Sequence, residues 1–193
     1  MIKDKILKTK LFNFLGLAKK VILKNNYMVI KVYSLKGVKN IEKFIEEKLE
    51  GHLGEIQELL IHYEILKINN EKQIVIYILK DNKDLGDILR KNLKVNLKSI
   101  QIERSENIKK KLKIKSGLVI LKDKNNFHVM SFANGILVSY DETTDFNDIN
   151  VEYEKEFLEK ILKKSIEKIY ISKEVLEENT IKLEDLKLIP LGV

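Results

Sequence analysis

LVILKDKNNFHVMSFANGILVSYDETTD, residues 118–145, reads as strands joined by two tight turns in a row. Apolar residues fill the runs, and turn formers separate them. The first turn is Lys122-Asp123-Lys124-Asn125-Asn126, and the second is Ala133-Asn134-Gly135. A charged helical stretch follows, EYEKEFLEKILKKS, then a strand, KIYIS, a short helix around Lys173–Asn179 and a terminal LKLIPLGV. Strands, then helix, strand and helix make a mixed α/β arrangement.

The chain before the meander follows another order. KKVILKNNYMVIKVYSLKG predicts two strands about an Asn25-Asn26 turn, because Asn tolerates the positive φ that hairpins demand. NIEKFIEEKLEGHLG predicts a helix with Asn40 as N-cap, Ile41, Phe44, Ile45 and Leu49 on one face, and Gly51 as its stop. LLIHYEILKI and QIVIYILK predict strands around the polar turn INNEK. KDLGDILRKNL reads as a short helix and LKSIQIE as a further strand, with SENIKKKLKIK as the link to the meander. From residue 27 to 103 the order is strand–helix–strand–strand–helix–strand, the split β-α-β layout, in which two helices cover one face of a mostly antiparallel sheet. The expected division is therefore an amphipathic helix at 1–19, a β-α-β-β-α-β subdomain at 20–110 and a mixed-sheet subdomain at 111–193.

Composition narrows the function classes. At 193 residues and 44% hydrophobic content, the chain is long enough and apolar enough for one sizeable domain or two small ones. It contains no cysteine, which excludes a disulfide framework, a thiolate nucleophile and a cysteine-ligated metal, and fits a reducing compartment. The longest apolar run, Ile74 to Leu79, is far short of a membrane span. The net charge of +7 comes from lysines spread along nearly every segment. That is either a solvated surface or one that meets phosphate or anionic lipid. MIKDKILKTKLFNFLGLAKK has a basic start and an apolar centre, yet it lacks the cleavage site of an export signal. Ile6, Leu7, Leu11, Phe14, Leu15 and Ala18 recur at helical spacing, so it reads as a helix that packs on the domain or touches a membrane or partner.

Few residues look placed for chemistry. His52, His62 and His128 have no metal-ligand spacing, and Glu55, Glu58 and His62 would share a face only on a helix, where His62 reads as strand. Asp141, Glu142, Asp145 and Asp148 form an acidic loop without the alternating ligands and central glycine of a calcium loop. Ser131, Ser139 and Ser172 lack a nucleophile-elbow context. Phosphate loops remain. They need backbone N–H groups aimed at a polyanion and small residues that let it approach, and no GxGxxG or GxxxxGK[ST] is present. In the first turn of the meander, Lys122 and Lys124 supply charge, Asp123 opposes them, and no strand-end carboxylate is there for Mg²⁺.

The whole pattern nevertheless resembles the PilM group, actin-like proteins of type IV pilus assembly related to the cytoplasmic part of the secretion protein GspL and to the division protein FtsA. The resemblance runs from about residue 20. VILKNNYMVIKVYSLKGVKNIEKFIEEKLEGHLGEIQELLIHYEIL follows the family's strand–strand–helix–strand run, and QIVIYILK and NLKVNLKSIQIE resemble its next strands. LVILKDKNNFHVM stands where the family has a phosphate hairpin of the form LVDiGxxxTxlxi, GILVSYD where it has gxlxfsRxi, and EKIYISKEVLEEN where it has iyLsGGxaxlxgl. The resemblance implies an α/β fold in which the split β-α-β subdomain is followed by a partial actin-like, ribonuclease-H-like mixed-sheet subdomain.

The departures fall on one class of position. Ile120 and Lys122 stand for the strand-end Asp and turn Gly, and Lys173 and Glu174 for the Gly-Gly that admits adenosine. The family's first phosphate loop has no counterpart before residue 20, where too few residues are present to build its subdomain. At on the order of 1.5–3 kcal/mol per lost charge-assisted hydrogen bond, micromolar nucleotide affinity does not survive such losses. The expectation is a non-enzymatic cytoplasmic adaptor, peripheral to the inner membrane, with no cofactor or metal. The resemblance implies a PilN-like membrane subunit as partner, with an assembly ATPase as a further contact. Phe12, Phe14 and Leu15 are candidate partner-binding residues. The competing reading is a basic nucleic-acid-binding module, based on the charge and on KKKLKIK, although few aromatics accompany those lysines.

Overall fold

The structure, a computed structural model, describes residues 19–23, 28–53, 59–80, 95–166, 168–178 and 187–191. They fall into two compact units. The first takes those up to residue 65 and from 70 to 104, and the second takes 66–69 and those from 105 onward. Expectations for the N-terminal helix, the Asn25-Asn26 turn and the KDLGDILRKNL helix lie outside the described residues.

In the first unit, β2 (Met28–Ser34), β3 (Leu59–Ile68) and β4 (Glu71–Lys80) form a sheet of order β2-β4-β3. Asn69 and Asn70, both at positive φ (46° and 66°), form the β3–β4 turn, as INNEK predicts. Strand β4 is central, and Ile74 to Leu79 are all buried, which explains a continuous apolar run instead of alternation. Helix α1 (Ile41–Leu53) presses Ile45 and Leu49 against Ile61, Ile74, Ile76 and Ile78. Each such side chain contributes about 1.5–3 kcal/mol on burial. Asn40 caps α1 as expected, its Oδ1 accepting the Lys43 N–H at 3.0 Å. Gly51 does not stop the helix, which continues to Leu53. A single glycine in a helix costs only about 1 kcal/mol, less than the packing of this helix gains.

Two further expectations are corrected here. Strand β1 (Lys19–Leu23) does not form a hairpin with β2; it pairs in parallel with β5 (Val95–Ser99). The edge of β2 is matched instead to β4, from Met28 opposite Leu79 to Ser34 opposite Gln73. An Asn-Asn pair marks a break between strands but does not say which edges meet. Second, LKSIQIE is not one strand and SENIKKKLKIK is not a link. The strand ends at Ser99, and α2 (Ile100–Leu112) follows directly. Buried Ser99 is the reason: its Oγ accepts the Ile102 N–H at 3.1 Å, a helix N-cap, and donates to Met28 Sδ at 3.4 Å. Glu103 in the first turn and Lys109 to Lys111 in the last complement the helix dipole.

The second unit is built on the opening meander. Strands β6 (Gly117–Asp123), β7 (Asn126–Ala133) and β8 (Ile136–Thr143) run antiparallel in succession. The Asn134-Gly135 turn has φ of 47° and 79°, the mirror-image geometry that suits a twisted hairpin. Asn150 caps α3 (Val151–Leu162), accepting the Tyr153 N–H at 2.9 Å. β9 (Lys168–Ser172) returns parallel to β6, the short α4 (Lys173–Glu178) follows, and β10 (Lys187–Leu191) lies parallel to β9. The sheet order is β10-β9-β6-β7-β8. Helix α3 lies against β7 and β6, with Leu158, Ile161 and Leu162 buried.

Candidate functional site

The strand ends of β6 and β9 are where the sequence directs attention. Register pairs Leu118, Val119 and Ile120 with Ile169, Tyr170 and Ile171. Ile120 is fully buried, so the strand-end carboxylate position is part of the apolar core. Beyond it the side chain of Ser172, also fully buried, prolongs the ladder: its Oγ accepts the Lys122 N–H at 3.3 Å. Lys122 stands opposite Phe127 across the hairpin, with its Nζ 5.3 Å from the ring centroid, a cation–π contact. Phe127 in turn meets the edge of Phe146 at 5.4 Å. Lys124 is exposed at the turn, with φ 57°.

Lys173 and Glu174 begin α4 immediately after Ser172. The Glu174 carboxyl is held below its ordinary range, first by its own backbone N–H, then by the Ser172 hydroxyl, with Lys173 and Lys122 adding positive charge. The exposed Glu174 carboxylate thus places a negative charge beside these strand ends. A polyphosphate brought to these strand ends would lie near that carboxylate, and like charges repel.

The other candidates resolve into structural roles. His62 stacks on Tyr77 at 5.7 Å; Glu55 and Glu58 lie outside the described residues. Asp141 and Glu142 belong to β8, Asp145 caps the 3₁₀ turn Phe146–Asp148 by accepting the Asn147 N–H, and Asp148 accepts the Thr143 hydroxyl at 3.0 Å. Among the described residues no group of three or more His, Cys, Asp or Glu side chains is placed to hold a metal. Phe12, Phe14 and Leu15 lie outside the described residues.

Two polar clusters escaped the sequence reading. Buried His128 meets the Tyr140 hydroxyl at 2.9 Å through Nδ1, and Tyr140 and Asn126 both donate to Glu142, at 3.3 and 2.6 Å. Under α3, Ser131 donates to Glu154 Oε2 at 3.2 Å. Burial raises the Glu154 carboxyl above its ordinary value, hydrogen bonds from Ser139 and Ser131 partly oppose this, and the charge of Asp141 adds to it. A signal was present: Glu154 falls on the same helical face as Leu158 and Ile161, a carboxylate in an apolar stripe.

Strand order and strand direction together define the class. Among the described residues, four of the second unit's five strands run the same way and β7 is reversed, and the order is that of a ribonuclease-H-like sheet, the unit of actin-like proteins. The expected α/β class with a mixed-sheet subdomain therefore holds. No family model and no curated protein matches the chain. Among solved structures it is similar to a Bacteroides thetaiotaomicron protein of actin-like ATPase fold and unknown function, at 13% identity and a TM-score of 0.44, over 92% of this chain and 70% of that one. It is also similar to a chain of a PilM–PilN type IV pilus biogenesis complex, at 10% identity and a TM-score of 0.49, over 96% and 74%. Among the described residues no helix is long and apolar enough to cross a membrane.

Proposed function

We propose that the chain is a non-enzymatic adaptor at the cytoplasmic face of a type IV pilus or type II secretion inner-membrane platform, with nucleotide binding lost. The observation that carries this reading is the self-satisfied strand ends: Ser172 accepts the Lys122 N–H and Lys122 lies on Phe127. The frame of a nucleotide fold is kept, while residues of other types stand where the resemblance places the groups that touch a nucleotide, and one of them, Lys122, is engaged within the chain by Ser172 and Phe127. Selection for a surface accounts for a scaffold preserved without its site. The resemblance of the sequence to the PilM group supplies the kind of partner, a PilN-like membrane subunit, with an assembly ATPase as a second contact.

The experiment is capture of the platform's membrane subunits by the full chain, first with the cytoplasmic N-terminal peptide of the PilN-like subunit. Saturable, nucleotide-independent binding is expected. Failure to bind every product encoded beside the gene contradicts the reading.

A further inference from the structure

Lysines from separate segments gather at the end of the second unit's sheet where β6 begins and β7 turns into β8. The Asn134-Gly135 turn is the hub. Asn134 donates its N–H to Ser116 Oγ at 3.0 Å and its Nδ2 to the Lys67 carbonyl at 2.8 Å. The Gly135 N–H donates to the Lys115 carbonyl, and Lys109 Nζ donates to the Gly135 carbonyl at 2.7 Å. These bonds fix the backbone that carries Lys67, Lys110, Lys111, Lys113 and Lys115, all of them exposed. Among the described residues none of the five takes part in an ion pair. No acidic residue lies between Glu106 and Asp123 to dilute the charge.

Part of this charge has a use within the fold, because Lys109 to Lys111 occupy the last turn of α2 and offset its dipole. Lys67 and Lys115 lie away from the helix end and have no such role. We propose that this face docks on the anionic phospholipid headgroups of a bilayer. The inference rests on the adaptor reading above and names the surface of the adaptor that is turned to lipid.

The chemistry favours lipid over nucleic acid. Base readout uses the arginine fork, and single-strand binding uses exposed aromatic rings. The whole chain has only two arginines, Arg90 and Arg104, neither in this cluster. Among the described residues the exposed large hydrophobic side chain is Tyr153, on α3. Lysines are compact point charges, and a cluster of four to eight is what an anionic leaflet attracts, at about fivefold in affinity per lysine. Leu112 is half-buried and Ile114 buried, so the contact is electrostatic, without insertion.

The test is co-sedimentation of the full chain with vesicles of phosphatidylglycerol and phosphatidylethanolamine, against phosphatidylcholine alone. Binding to the anionic vesicles that disappears in half-molar salt is expected. Lys110→Gln/Lys111→Gln/Lys113→Gln/Lys115→Gln should weaken it about six hundredfold, and Lys67→Glu/Lys115→Glu is a second variant should the first fold poorly. The charge-matched control Lys39→Gln/Lys160→Gln/Lys164→Gln/Lys168→Gln should bind nearly as the parent does. Equal loss in variant and control, no binding to anionic vesicles, or tighter variant-sensitive binding to duplex DNA or RNA of equal phosphate concentration overturns the proposal. Vesicle binding without capture of platform subunits sinks the adaptor reading, whereas capture without vesicle binding sinks only this inference.

Discussion

Ser172→Ala probes the closed strand ends directly. The β6–β9 ladder pairs Ile120 with Ile171, and the next step is made by a side chain, Ser172 Oγ accepting the Lys122 N–H at 3.3 Å. Alanine fits the same space, since only an oxygen is removed, so no cavity term of consequence arises. The loss from the ladder is one hydrogen bond at a fully buried site, for which about 1–3 kcal/mol is typical. The 3.3 Å separation is at the long end of the range and places the cost near the bottom, at about 1–1.5 kcal/mol. In a chain of this size that lowers the melting temperature by about 2–6 °C. The chain has no tryptophan, so urea unfolding is followed by far-ultraviolet circular dichroism, and the midpoint should fall at unchanged slope. Exposed Ser165→Ala is the control, expected within about 0.5 kcal/mol of the parent. The Glu174 carboxyl also loses the Ser172 hydroxyl and should titrate closer to its ordinary value, which carbon-detected NMR reads. An unchanged midpoint together with an unmoved Glu174 titration refutes the network.

Two further substitutions report on other parts of the second unit. Burial raises the Glu154 carboxyl, so the folded chain keeps this proton to a higher pH than the unfolded chain. The contribution is therefore most favourable at low pH and falls as pH rises from about 4.5 through the raised folded value. Glu154→Gln should flatten that part of the stability-against-pH curve relative to the parent; parallel curves would contradict the assignment. Gly117 has φ +152°, and a Cβ there would lie 3.1 Å from Tyr170 Cε2 and 3.3 Å from the Lys168 carbonyl oxygen. Gly117→Ala should cost about 1–3 kcal/mol in urea unfolding, and a neutral result would show that β6 can shift at its start.

Much of this architecture was legible because hydrophobic period and turn chemistry act locally. The Asn69-Asn70 and Asn134-Gly135 turns, the Asn40 cap and the two-sided burial of β4 all follow from neighbours in sequence. What failed was not local. The partner of β1 is β5, more than seventy residues away, and a parallel pairing leaves no turn signature between the strands. The 97–103 stretch alternates well enough for a strand, yet Ser99 caps a helix across it, because a serine that accepts an N–H three residues on outweighs two isoleucines spaced by two. At the candidate site, the absences at Ile120, Lys122, Lys173 and Glu174 could be read from residue types. That Ser172 accepts the Lys122 N–H could not, since the two are fifty residues apart. Glu154 was visible as an acid in an apolar stripe, but its serine partners sit on β7 and β8.

A calorimetric titration of the full chain with ATP and Mg²⁺ tests the loss of nucleotide binding most directly. Strand ends closed by Ser172 on the Lys122 N–H, with Lys122 on Phe127, predict no saturable heat up to millimolar nucleotide. A stoichiometric isotherm with a micromolar Kd would contradict the account.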